Sequence, residues 1–223
     1  MSIGGFLYRG SKKMSRKNLY EFVRCSLADI DRGSRVLNIG AGGEVGATLV
    51  QACARRNAIV VSLDISPDRK PDIVGDICEA RFEAEFDVVV MAEVLEHIPR
   101  PHVALERVLC ALRPGGRLVM TVPFIFPLHD GPHDYFRFTR YGLQYLLRDF
   151  TDVTIKERNG WAEAIAVLLA RSLVSFPDQR ILGGLAAVAA LLVYPFATMI
   201  SRLCANGFLT SGYLVTGKKD LGP

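Results

Sequence analysis

The chain has 223 residues, half of them hydrophobic and 22% charged, with 27 Lys and Arg against 23 Asp and Glu. That length suits one α/β domain with an elaboration and is enough for a real core. The apolar fraction excludes a disordered tail, and the net charge of +4 is modest but unevenly spread.

Residues 1–34 read as a basic N-terminal arm and helix. Arg9, Lys12, Lys13, Arg16, Lys17 and Arg24 crowd the first 24 residues, where Glu21 is the only acid. Such a segment suits phosphate, anionic lipid or nucleic acid, and equally a solvated amphipathic helix. It lacks the apolar core of a signal peptide, so the cytoplasm is the expected compartment. Cys25, Cys53, Cys78, Cys110 and Cys204 are scattered without CxxC spacing. They are expected to be reduced and mostly buried.

From residue 35, apolar runs alternate with helical spacing. Arg35 to Ile39 (RVLNI) predicts a first strand, Val45 to Arg56 a helix, Ala58 to Leu63 a second strand and Asp72 to Val74 a short third. Phe86 to Met91 predicts a fourth strand and Pro101 to Leu112 a helix. Pro114-Gly115-Gly116 reads as a turn launching a fifth strand, Arg117 to Val122. Tyr141 to Leu147 looks helical, Thr151 to Lys156 alternates as a sixth strand, and Gly212 to Gly217 closes as a seventh. The pattern predicts an α/β, three-layer, doubly wound and mostly parallel seven-stranded sheet. Its core runs over 35–159, an apolar helical insertion over 160–208, and the last strand and tail over 209–223. Ligands of such sheets sit beyond the carboxyl ends of the strands.

The first strand ends in glycines, LNIGAGGEVG from Leu37 to Gly46. Gly40 and Gly42 fit the start of G-x-G-x-x-G, but the third place falls on Val45 and Gly46 comes one late. Asp64 ends the second strand, where a carboxylate accepts ribose hydroxyls. Asp76 ends the third, in reach of an adenine amino group. Glycines and two acids at three successive strand ends make a nucleoside cleft. No Walker lysine follows the glycines, which disfavours phosphate chemistry.

The series VLNIGAGGE, VVSLDIS, IVGDI, FDVVVMAEVLEHIP and LRPGGRLVMTVP resembles a class I S-adenosylmethionine-dependent methyltransferase, over roughly Arg35 to Pro123. The resemblance implies that Asn38, Gly40, Ala41 and Gly42 lie beside the methionine moiety. It gives Asp64 and Ile65 to the ribose side, Asp76 and Ile77 to the adenine, and Ala92, Glu93 and Val94 to the wall after the fourth strand. Asn38 stands where the family commonly has an acid, so one carboxylate fewer faces the cationic sulfonium.

Pro123 to Leu143 holds His129, Asp130, His133, Asp134, Tyr135 and Arg137 within nine residues. It resembles the H-x-x-P-x-D-Y-x-R-F-T stretch of methyltransferases from bacterial surface-polysaccharide clusters. A hydroxyl acceptor must lose a proton, and imidazole titrates in the right range. His129 is the first candidate base and His133 the second, with Asp134 orienting a histidine or binding a sugar hydroxyl. Tyr135 and Arg137 are candidate acceptor contacts, Arg137 for a phosphate or carboxylate. An equal alternative pairs Asp134 with Arg137 to lock the loop, with Tyr135 and Phe138 in the core. No metal is expected, because no further ligand cluster supports one. His97 is taken as a structural hydrogen-bonder, and Glu93 and Glu96 as residues lining or capping the pocket.

Ile181 to Ile200 carries no charge and is bracketed by Arg180 and Arg202. Twenty apolar residues match a membrane span in length. A single crossing would leave the last strand on the wrong side, and Trp161 to Phe176, with Glu163 and Arg171, is too short and polar for a second. The expectation is a helical hairpin, bent at Gly183, Gly184 and Pro195, lying in a membrane interface or covered by a homodimer partner.

These observations point to a peripheral S-adenosylmethionine-dependent enzyme on the inner face of the cell membrane. Its expected acceptor is a hydroxyl of a sugar or envelope-glycan precursor, free or lipid-linked. The alternatives are a quinone-like lipid or small metabolite as acceptor, or a non-catalytic binding protein with a vestigial site, for which Asn38 speaks. No nucleic-acid partner is expected, since the basic residues form an arm rather than a stripe and no N/D-P-P-Y/F motif is present.

Overall fold

The computed structural model describes residues 10–174, 180–204 and 207–222. Arg9 and the rest of 1–9 lie outside the described residues, as do 175–179 and 205–206 of the insertion. Seven strands form one sheet: β1 Arg35–Ile39, β2 Ile59–Asp64, β3 Ile73–Val74, β4 Phe86–Ala92, β5 Leu112–Pro123, β6 Thr151–Glu157 and β7 Gly212–Lys218. The helices are α1 Leu19–Ser26, α2 Gly43–Ala54, α3 Pro101–Ala111, α4 Arg140–Leu146, α5 Trp161–Val174 and α6 Arg180–Leu203.

The sheet order is β3-β2-β1-β4-β5-β7-β6. The β1–β2, β1–β4, β2–β3 and β4–β5 pairs are all parallel. The predicted mostly parallel, doubly wound sheet is therefore present. Val36, Leu37, Val89, Val90, Leu118 and Val119 are fully buried, as expected for strands covered on both faces. The chain runs from β1 outward to β3 and then returns to start β4 on the other side of β1. Right-handed crossovers then put the intervening helices on opposite faces and open a crevice at the carboxyl ends of β1 and β4.

Two expectations need correction. Pro114–Gly116 is not a turn before the strand: β5 already begins at Leu112, and its register against β4 shifts between Phe86 and Val88. A bulge absorbs the proline and glycines. The cysteines are all free, but only Cys53 and Cys78 are buried, while Cys25, Cys110 and Cys204 are exposed. Helix α6 is continuous from Arg180 to Leu203 with Pro195 inside it.

The chain divides into two compact units. The larger contains Tyr20–Val122, Pro132–Lys156 and Leu214–Pro223; the smaller contains Met1–Leu19, Pro123–Gly131 and Glu157–Tyr213. In the smaller unit, α5 and α6 pack side by side as the predicted hairpin. The N-terminal segment is no free arm from residue 10 onward. Met14 packs with Val167 and Ala170 of α5, and Lys17 Nζ donates to Glu163 Oε1 at 2.6 Å while lying 5.4 Å from the Tyr194 ring centroid.

Glu163 is the polar pin of this unit. It also accepts from Thr198 Oγ1 at 2.9 Å and from the Gly160 N–H at 3.2 Å. Burial pushes its carboxyl up, but the hydrogen bonds from Lys17, Thr198 and Gly160 outweigh this and hold it below the ordinary value of 4.5. A carboxylate with a lowered folded value stabilises the fold above its unfolded value and loses that contribution as pH falls through the folded one. Glu163→Gln should therefore cost about 1–3 kcal/mol at pH 7. In paired denaturation experiments the gap to the parent protein should close as pH drops below 4.5; a gap independent of pH would refute the role.

Candidate active site

The glycine loop is held from both sides. Asp64, at the end of β2 and only 8% exposed, accepts the Ala41 N–H on Oδ2 at 2.7 Å and the Ser66 N–H on Oδ1 at 2.8 Å. Arg69 Nε stands 3.7 Å from Oδ2. The loop needs such a partner because Gly40 and Gly42 both adopt φ +87°, a left-handed conformation that leaves the amide between them without a ladder. Gly40 donates its own N–H to Leu63 O at 2.9 Å.

The two glycines do different things. A Cβ on Gly40 would lie 2.5 Å from Val94 Cγ2, so the loops after β1 and β4 touch across the crevice. A Cβ on Gly42 would meet nothing within 4 Å, and Gly42 caps the N-terminus of α2. The open side of the loop thus faces space and a helix amino end.

Around this loop stand the other predicted cofactor residues. Asn38 is buried; its Nδ2 donates weakly to Gly40 O at 3.4 Å, and its Oδ1 makes no hydrogen bond among the described residues. Ile65 is largely exposed, whereas Ile77 is in the core. Asp76 Oδ1 accepts the Cys78 N–H at 2.8 Å and caps the turn after β3. Ala92 ends β4, and Glu93 follows at φ +55°, fixed by its N–H to Thr121 O at 2.9 Å and by Thr121 Oγ1 on its Oε1 at 3.0 Å.

The segment from Pro132 docks on the turn after β4. Tyr135 and Phe136 both donate their N–H to Glu96 O, at 3.0 and 3.2 Å. His97 Nδ1 contacts His133 O at 2.7 Å, so this ring donates to a carbonyl. Arg137 forks onto Asp134, with Nη1 to Oδ1 at 2.6 Å and Nη2 to Oδ2 at 2.7 Å. That fork, with the nearby charges of Glu96 and Glu93, holds the guanidinium above its ordinary value despite burial. Phe138 is buried and Tyr135 is exposed, its hydroxyl 2.8 Å from His133 Nδ1. His129 belongs to the smaller unit, edge-on to Phe126 with ring centroids 5.3 Å apart.

Sequence reasoning named Glu96 as lining or capping the pocket but not as an anchor, and it missed Thr121 and Arg69. Glu96 is fully buried and docks the next segment through its carbonyl, while Thr121 and Arg69 brace Glu93 and Asp64.

A family profile described as a methyltransferase domain matches residues 11–177. The chain belongs to this methyltransferase-domain family. Curated relatives include the ubiquinone biosynthesis O-methyltransferase of Psychrobacter arcticus, 28% identical over 155 residues and matching 57% of each chain. That of Hahella chejuensis is 30% identical over 154 residues, 59% of this chain and 60% of the relative. The chain thus spans less than two thirds of these relatives' length. Among solved structures, a SAM dependent methyltransferase from Archaeoglobus fulgidus shares the fold with TM-score 0.57 at 18% identity, covering 92% of this chain and 97% of that one. The [4+2]-cyclase SpnF scores 0.61 at 16% identity, over 92% and 82%, a reminder that fold alone does not fix the reaction.

Gly40→Ala should destabilise the protein by about 2–4 kcal/mol, adding a left-handed backbone penalty to the clash with Val94. Val94→Ala in the same background should recover part of the loss in thermal denaturation. No recovery would mean the two loops do not meet as described.

Proposed function

We propose that the chain methylates a hydroxyl of a quinone-like lipid precursor, with S-adenosylmethionine as donor. Family membership supports the donor, and so does the fit of the loop. Gly42 opens onto space beside a helix amino end, Asn38 Oδ1 is buried and awaits a donor, and Asp64 has spent one lone pair per oxygen of about four available sites. When bound, S-adenosylmethionine supplies a methyl group on a cationic sulfur, which an oxygen nucleophile takes in line as the C–S bond breaks and the C–O bond forms.

The chain's own residues must then hold the nucleoside, exclude water and take the hydroxyl proton. Asp64 and Asp76 offer carboxylate oxygens to the ribose and adenine, with Ile65 as an apolar wall. Asp134, Glu96 and Glu93 all act on the Arg137 guanidinium, and carboxylates in excess there favour a cationic donor over its neutral product. His129 and His133 are the two candidate bases. For His133, an Nδ1–H donated to Tyr135 Oη would leave Nε2 to accept the proton.

The acceptor reading rests on the relatives, whose names point to ubiquinone biosynthesis. The apolar α5–α6 hairpin suits a lipid. The sugar or glycan reading is supported by the H-x-x-P-x-D-Y-x-R-F-T resemblance alone, and its ionic argument weakens because Arg137 is committed to Asp134.

Methyl-labelled S-adenosylmethionine should transfer label to a prenylated catechol and not to sugar nucleotides; the reverse result would overturn the acceptor. S-adenosylhomocysteine should bind in calorimetry, and absence of heat would remove the donor. Asp64→Asn should weaken that binding about tenfold or more, the loss of one charge-assisted hydrogen bond. Of His129→Gln and His133→Gln, the one that removes the base should lower turnover by about 10²–10⁴ with cofactor affinity intact.

A further inference from the structure

The smaller unit presents an apolar face that its own packing does not use. On α6, Ala197 and Ser201 are buried and Tyr194 and Thr198 half-buried, and Thr198 bonds to Glu163 of α5. That side faces the hairpin partner. Val188, Leu192, Val193, Phe196, Met199 and Leu203 are exposed, Leu192 by 69% and Phe196 by 63%. At 100° per residue these six positions fall within an arc of about 140°, a single stripe along the helix. From 188 to 203 the stripe is about 22 Å long. Phe208, stacked on Trp161 with centroids 6.4 Å apart, adds an exposed aromatic ring to the same unit. An apolar surface of this extent requires a cover.

Charge decides which cover. The smaller unit holds nine of the chain's 27 Lys and Arg but only four of its 23 Asp and Glu, leaving eighteen against nineteen elsewhere. The whole positive excess therefore belongs to the unit that carries the stripe. Arg202 is exposed at the end of α6, and Lys13 is exposed on the N-terminal segment, whereas no charge interrupts residues 181–201. Two copies meeting through the stripe would oppose two units of like charge. An anionic bilayer offers the opposite charge and an apolar phase together. Among the described residues no helix is long and apolar enough to cross a membrane. We infer that the α5–α6 hairpin lies in the interface of an anionic membrane, with the α6 stripe among the upper acyl chains and the basic side chains at the head groups.

The inference does not depend on the acceptor, because the test uses none. The full chain is floated with vesicles of phosphatidylcholine alone and of phosphatidylcholine with about one third phosphatidylglycerol. It should rise with the anionic vesicles, less so at high salt, and stay behind with the neutral ones. The double variant Leu192→Glu, Phe196→Glu, checked for parent-like circular dichroism, should lose about tenfold or more in membrane partitioning. The inference fails if the parent ignores anionic vesicles or if the folded double variant floats equally well. It also fails if light scattering without lipid shows a dimer that the double variant abolishes, which would assign the stripe to a second copy. Loss of S-adenosylhomocysteine binding would bear on the donor reading and leave flotation unaffected.

Discussion

A buried carboxylate that accepts two backbone amides organises the cofactor end of this protein. Asp64 closes β2, yet its Oδ2 reaches the Ala41 amide in the loop after β1. Burying a carboxylate is costly unless donors compensate it, and charge-assisted bonds from amides are among the strongest compensations available. The cost and the gain fall on the same atoms. The loop needs an acceptor because its left-handed glycines turn Ala41 away from any strand, and Asp64 needs donors because it is buried. Each explains the other's residue type. The arrangement also leaves the carboxylate with capacity beyond the loop, so one side chain shapes the cradle and borders its contents.

The far wall follows from the same crevice. Val94 touches the Gly40 backbone closely enough to forbid a side chain there, and Glu93 and Glu96 in the same turn act on the Arg137 guanidinium together with Asp134. The turn after β4 therefore does three things within five residues: it closes on the glycine loop, docks Tyr135 and Phe136 through Glu96 O, and gathers negative charge. A cation that becomes neutral when it reacts is held by such a field before the reaction and released by it afterward.

Much of this was legible in the sequence, for physical reasons that also mark where legibility stops. The strands were readable because both-face burial produces unbroken apolar runs, as in Val88 to Met91. Gly40 and Asp64 were readable because a backbone approach and an acid at a strand end leave residue types with few substitutes. The bulge at Pro114–Gly116 was not, since proline and glycine signal a break without saying whether the ladder resumes at once. Lys17 with Glu163 was not, because 146 residues separate the partners and a basic run looks the same solvated or docked. The Asp134–Arg137 fork was one of two open readings, and three residues of spacing could not choose between a mutual pair and two ligand contacts.

The hairpin shows how far a topological constraint reaches. β7 lies between β5 and β6 in the sheet, so the chain that leaves β6 must come back, and two helices are the smallest apolar excursion that returns. Once paired, they need a polar pin where they meet the N-terminal segment, and Glu163 provides it through Lys17 and Thr198. The pin fixes which side of α6 faces inward. Composition could not tell this, because alanine suits either face of a helix and α6 is rich in it. With the inward side settled by Ala197 and Ser201, the larger residues Leu192, Phe196 and Leu203 have only the outward side left. An apolar outer face is then a consequence of how the excursion closes, and the basic surplus of the same unit gives that face a preferred surroundings.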